Sequence, residues 1–162
     1  MKIIKLTKNR EALIDDEDFK MISKNKWYAH GLGDWVYAYR RITIKKGKSK
    51  LIAMSRQILN IIDNNYVVDH INGNTLDNRR RNLRIATHSQ NMANRRKKVR
   101  KTSMYKGVSL YKKDATKPWI VFIKVNRKTK YVGLYKTERE AAEVYNQNAL
   151  RMYNQYAKIN KV

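Results

Sequence analysis

Asp69 and His70 stand side by side in "NYVVDHI", and a later stretch, "THSQNMANRRKK", carries His88 and Asn91. Those residue types suit one kind of chemistry. Hydrolysing a phosphodiester needs an activated water, stabilisation of the charge that builds on the phosphate, and help for the departing 3′ oxygen. An imidazole can meet the first need, and a divalent cation held by hard oxygen donors can meet the other two. Asp69 is such a donor. Alternation along a strand would send Asp69 and His70 to opposite faces, the carboxylate toward a cation and the imidazole toward the water. On a helix, positions 88, 91, 94 and 95 share a face, so Asn91 or His88 can point back at the strand pair. Each residue also has a bland reading. An Asp-His dipeptide arises by chance, an Asn-Gly step is usually a tight hairpin turn, and a helical asparagine more often caps or faces solvent.

The elements that must hold these residues are readable around them. "NYVVDHI" has a strand pattern, "NGNTLDNRRR" is a polar loop and "NLRIAT" is a second short strand. "THSQNMANRRKK" is helical, opened by Thr87 and Gln90 in a T-x-x-Q box and free of Gly and Pro. Upstream, "DDEDFKMISKNKW" predicts a short helix with acids in its first turn and Phe19 and Ile22 three apart. "WYAHGLGDWVYAYRRITIKKGKSKLIAM" reads as strands broken at Gly-x-Gly and at "KKGKSK", and "SRQILNII" as a short helix capped by Ser55. From Ser103 on, "YKGVSLY", "PWIVFIKV" and "KYVGLYK" predict three strands. Thr137 and Glu140 then open a long helix in which Ala141, Tyr145, Ala149 and Met152 recur at helical spacing.

The 162 residues carry a formal net charge of +24, and its distribution says more than its size. Residues 79–102 hold 10 Lys and Arg and no acid, whereas residues 1–78 hold 14 against 9 and residues 103–162 hold 13 against 4. Phosphate contacts release condensed counterions, so a polyanion is the natural partner of Arg79, Arg80, Arg81, Arg84, Arg95, Arg96, Lys97 and Lys98. A solvated linker, an RNA contact or an anionic lipid surface would also tolerate such a block; no amphipathic basic helix accompanies it, which favours nucleic acid. The chain has no cysteine, which excludes disulfides and thiolate metal sites and leaves oxygen or imidazole ligands. It has no apolar run of membrane-spanning length and no apolar leader at its start, so a soluble, cytoplasmic protein is expected.

The stretch "VVDHINGNTLDNRRRNLRIATHSQNMANRR" resembles the HNH endonucleases, above all phage-type and homing enzymes with the pattern DH-x-[ND]-G-N, NLR, QN. That resemblance implies a ββα-metal fold, His70 as general base and Asp69 as a ligand of Mg²⁺ or Mn²⁺. It puts the family's middle asparagine, which braces the loop, at Asn82, and the second ligand at Asn91, with His88 as the alternative. Ser55 stands where many relatives have histidine. The C-terminal part resembles the APETALA2/ethylene-response DNA-binding domain through "YKGVS", "WIVFIKV", "YVGLYKTEREAAEVYNQNAL" and "AKIN". This second resemblance implies a three-stranded sheet in the major groove, with Lys106, Ser109, Tyr111, Trp119, Lys124 and Tyr131 as contacts; Trp119 is equally readable as a core residue. The expected organisation is α+β: an HNH domain over 1–98 with its ββα core at about 66–98, a basic linker at 99–104, and a sheet-plus-helix domain at 105–162. The expected activity is metal-dependent cleavage of double-stranded DNA by a monomer, with no membrane and no small-molecule cofactor. The alternative is a sequence-specific DNA-binding regulator whose nuclease module has decayed.

Overall fold

The computed structural model describes residues 1–33, 35–95, 102–126 and 128–162, which form two compact units, Met1–Thr87 and His88–Val162. In the first unit a hairpin of β1 (Lys2–Lys5) and β2 (Glu11–Ile14) leads into helix α1 (Asp16–Ile22). Strands β3 (Tyr28–Leu32), β4 (Trp35–Lys45) and β5 (Lys48–Ala53) make an antiparallel sheet in that order, followed by the short helix α2 (Met54–Ile58). Strands β6 (Tyr66–His70) and β7 (Leu83–Thr87) pair antiparallel. Apolar residues from β1, β2, α1, β3, β4, α2 and β7, among them Ile4, Ile14, Ile22, Ala29, Ala38, Met54 and Leu83, are buried in one cluster with Trp27. The Trp27 indole N–H donates to the Ile22 carbonyl at 2.8 Å, so the bulkiest core side chain buries no unmet donor.

Two local expectations change here. Helix α2 starts at Met54 with Ala53 as its N-cap, which puts Ser55 inside the first turn and buries it. Helix α1 turns Asp18 inward with Ile22 and leaves Phe19 exposed. The cause is Arg80, whose guanidinium grips Asp18 with bonds of 2.9 and 2.7 Å. A two-point charge pair fixes the rotation of a short helix more firmly than one phenyl ring can.

The second unit begins with α3 (His88–Asn94) and continues through β8 (Val108–Leu110), β9 (Trp119–Val125), β10 (Lys128–Tyr135) and α4 (Glu138–Tyr153). The three strands form one antiparallel sheet with β9 in the centre. Thr137 caps α4, its hydroxyl accepting from the Glu140 N–H at 3.1 Å. Ala141, Tyr145, Ala149 and Tyr153 pack with Val108, Val121 and Ile123, and the small alanines let the helix lie close on the sheet. Met152 is exposed, because steps of four from Ala141 arrive at Tyr153.

Gly107 has φ 79°, and a Cβ there would lie 2.0 Å from the Tyr145 ring and 2.8 Å from the Phe122 carbonyl oxygen. Gly107→Ala combines left-handed backbone strain with overpacking and is expected to cost about 2–4 kcal/mol. Urea unfolding followed by near-ultraviolet circular dichroism checks this.

The expected domain boundary at 98 and half of the linker at 99–104 fall on residues 96–101, outside the described residues. The two units divide earlier, between Thr87 and His88. They do so because α3 is tied to C-terminal elements: the Lys106 ammonium and the Lys158 N–H both donate to the Ala93 carbonyl, and the Asn126 N–H donates to Ser89 Oγ.

Candidate active site

Strands β6 and β7 are in register from Tyr66↔Thr87 to His70↔Leu83, so the loop 71–82 leaves and returns beside His70. Polar side chains shape this loop. Asn72 Oδ1 accepts from the Asn74 N–H at 2.7 Å and Asn74 Oδ1 from the Leu76 N–H at 3.1 Å, each bending the chain two residues on. The Asn72-Gly73 step forms a turn, Gly73 N–H donating to the His70 carbonyl, rather than a two-residue hairpin. Buried Asn82 clamps the two halves of the loop: its Oδ1 accepts from the Asn72 N–H at 3.0 Å, and its Nδ2 donates to the Asp77 carbonyl at 2.7 Å. Backbone bonds between Leu13 and both Leu76 and Asn78, of 2.9 and 2.8 Å, pin the loop to β2.

His70 is 5% exposed, and its Nε2 lies 3.3 Å from Oδ1 of Asn78, which is itself 1% exposed. The other end of the Asn78 amide fixes the roles, because Nδ2 donates to the Leu76 carbonyl at 3.3 Å. Oδ1 therefore faces the imidazole and needs a proton from it, so Nε2 carries the hydrogen and Nδ1 the lone pair. Tyr37 of β4 packs edge-on against the ring, with centroids 6.1 Å apart. Burial pushes the His70 pKa below the ordinary histidine value, against the opposing pull of Asn78, Asp69 and Asp77. The ring is thus neutral at neutral pH and able to accept a proton. Sequence reasoning missed Asn78 and Tyr37; the signal for Asn78 was its place in a loop built from asparagines.

Asp69 is 3% exposed and meets its cross-strand partner Arg84, whose Nε and Nη2 reach carboxylate Oδ2 at 2.8 and 2.6 Å. Both bonds fall on one oxygen. A carboxylate offers about four lone-pair sites, so a guanidinium and a cation are compatible on donor count. A carboxylate oxygen is a hard donor, so the donor chemistry of Asp69 suits a divalent ion. Asn91 is half-buried and His88 exposed, both on α3 in the second unit. Among the described residues Asp15, Glu17 and Asp18 bring ligand atoms within 4.8 Å of one another. There Arg80 supplies the counter-charge, pairing with Glu17 and Asp18 while its backbone N–H donates to Asp15.

The basic block is put to more than one use. Arg79 grips Asp77 with two bonds of 2.7 Å and holds that carboxyl below the usual carboxylate range. With Arg80 on Asp18 and Arg84 on Asp69, three of the expected phosphate contacts are committed to internal carboxylates. Arg81 and Arg95 are exposed. Arg96, Lys97 and Lys98 lie outside the described residues.

Alternation also divides the contacts expected from the C-terminal sheet. Trp119 is half-buried and packs against the core formed with Val121 and Ile123. Ser109, Lys124 and Tyr131 lie on the opposite face, together with Phe122, whose ring meets Tyr131 edge-on at 6.0 Å. Sequence reasoning missed Phe122, although its parity with Lys124 along β9 pointed to it. Lys106 turns inward to the Ala93 carbonyl, and burial with Lys158 nearby pushes its pKa down to about 8. Tyr111 follows β8, half-buried, its N–H donating to the Pro118 carbonyl at 2.7 Å.

Residues 61–93 match the HNH endonuclease family, a span that takes in β6, the loop, β7 and most of α3. The chain is also similar to an uncharacterized HNH endonuclease of Acanthamoeba polyphaga mimivirus, 29% identical over 153 residues that cover 93% of this chain and 75% of the viral protein. No solved structure matches. A mixed α/β fold of small sheets and few helices, with an HNH segment and a viral relative of that name, supports a DNA nuclease. The resemblance of residues 105–162 to the APETALA2 domain has no support in these matches. Among the described residues no helix is long and apolar enough to cross a membrane.

Proposed function

We propose that the protein is a metal-dependent DNA endonuclease of the homing type, acting in the cytoplasm of a host cell. The observation that carries this reading is the buried His70, with its hydrogen directed to Asn78 through Nε2, next to the carboxylate of Asp69 inside the HNH segment. His70 Nδ1 takes a proton from water as the water oxygen bonds to phosphorus. The P–O3′ bond breaks, leaving a 5′-phosphate, and the 3′ oxygen takes up a proton from solvent. Asp69 and Asn91, with His88 as the alternative to Asn91, would hold the divalent cation; when bound, it stabilises charge on the phosphate and the departing oxygen. Asn82 contributes by bracing the loop that carries Asn78.

The C-terminal sheet is proposed to lie in the major groove, which admits a β-ribbon. Ser109, Lys124 and Tyr131 are its contact residues, since they share the face that α4 leaves uncovered.

Incubating supercoiled plasmid with the protein and Mg²⁺ or Mn²⁺ is expected to give nicked or linear product. Excess EDTA should stop cutting while a gel-shift assay shows binding unchanged. A protein that binds but yields no product with either metal would instead be a regulator with a decayed nuclease module.

A further inference from the structure

Strand β3 accompanies β4 only as far as Tyr28↔Tyr39. Beyond that point β4 and β5 run on as a two-stranded ribbon, from Arg40↔Ile52 to Lys45↔Lys48, closed by Gly47 at φ 78°. Residues 40–50 hold six cations, Arg40, Arg41, Lys45, Lys46, Lys48 and Lys50, and no acid. Arg41, Lys45, Lys46, Lys48 and Lys50 are exposed, and among the described residues none of them joins an ion pair. Lys45 and Lys48 stand directly opposite each other, a like-charge placement that destabilises a hairpin.

Lysines on an edge strand can serve simply to deter pairing with another chain. Two features go beyond that role. The register shift between Thr43 and Lys45 bulges Ile44 out at the ribbon tip, where it is 63% exposed, and a deterrent edge has no use for a displayed isoleucine. The charge also does not stop at the strand. Arg40 and Lys50 continue, with Arg56, into the wall of a cleft that has no carboxylate among its described lining residues. The five register pairs of the ribbon span about 17 Å, and its two strands lie about 4.8 Å apart, which fits the major groove's width of about 12 Å.

We infer that the β4–β5 ribbon is a DNA-contacting element in its own right, separate from the cleavage site and from the C-terminal sheet. Lys45, Lys46, Lys48 and Lys50 meet phosphates of duplex DNA, and Ile44 packs into the groove between them. The inference rests on the protein acting on DNA but makes no use of cleavage.

The test uses the full chain, a labelled duplex of arbitrary sequence and EDTA throughout, with affinity measured by fluorescence anisotropy across a salt series. Replacing the four lysines together (Lys45→Ala, Lys46→Ala, Lys48→Ala, Lys50→Ala) should make the slope of log affinity against log salt shallower by roughly 2–4, about 0.9 for each phosphate no longer neutralised. Arginine at the same four positions should keep the wild-type slope. Ile44→Ser should weaken binding severalfold with the slope unchanged. Circular dichroism reports whether each variant folds, and the arginine set keeps the test open should the alanine set not fold. An alanine set that folds and keeps the parent slope overturns the inference, as does a loss seen with duplex RNA or phosphatidylserine vesicles but not with duplex DNA. A slope that depends on the ribbon in a protein that never cuts would sink the nuclease reading alone. A nuclease whose slope ignores the ribbon would sink this inference alone.

Discussion

His70→Ala should cut supercoiled DNA about a thousandfold more slowly than the parent, within the 10²–10⁴ range that general acid–base catalysis contributes. Its affinity for DNA should change by no more than a few fold. The asymmetry follows from burial. At 5% exposure, bonded to Asn78 and packed on Tyr37, the imidazole offers little surface to DNA, so its removal deletes proton transfer and not grip. Asn78→Ala provides the companion measurement. It leaves the imidazole in place but removes the acceptor that keeps hydrogen on Nε2, so it should slow cutting by less than His70→Ala at unchanged KM. A purified His70→Ala protein that cuts as fast as the parent would remove His70 from the mechanism.

Arg84→Ala is expected to destabilise the first unit by roughly 3–5 kcal/mol, because it takes the guanidinium from a carboxylate buried in the fold. The Asp69–Arg84 pair is shielded on both sides, the side chains being 3% and 14% exposed, so solvent offers the carboxylate little compensation. Urea denaturation measures the loss. Replacing both partners, as Asp69→Leu with Arg84→Met, should recover most of it, since apolar groups of similar volume do not need the charge. That double variant should be stable and unable to cut, which separates what Asp69 does for the fold from what it does in the reaction. Mg²⁺ should stabilise Arg84→Ala more than wild type, because an ion that binds the folded state adds stability by mass action. A loss below about 1 kcal/mol, the scale of surface pairs, would mean that Arg84 is not what neutralises Asp69.

Periodicity and punctuation made most of the elements legible. Aromatic and β-branched runs marked β3 to β7 and β8 to β10, and the Thr137–Glu140 pair marked the start of α4, because both signals act over a few residues and need no partner elsewhere. Boundaries and faces were less secure. Ser55 reads as a cap until Ala53 is seen to hold that place, and Met152 reads as core until Tyr153 is seen under the sheet. In each case the winner was set by packing against residues far away in the chain.

Residue type and spacing alone establish which groups are present near the proposed chemistry: an Asp-His step on a strand, an asparagine-rich loop and a basic tract. Tertiary structure decided what those groups can do. It turned Arg79, Arg80 and Arg84 onto Asp77, Asp18 and Asp69, brought Asn78 to His70, and set Trp119 against Phe122 on opposite sides of one sheet. The physical reason is that a charge or a hydrogen-bond donor takes its role from its nearest partner once water is excluded, and Asp18 and Arg80, for example, meet only after the chain has folded 62 residues back on itself.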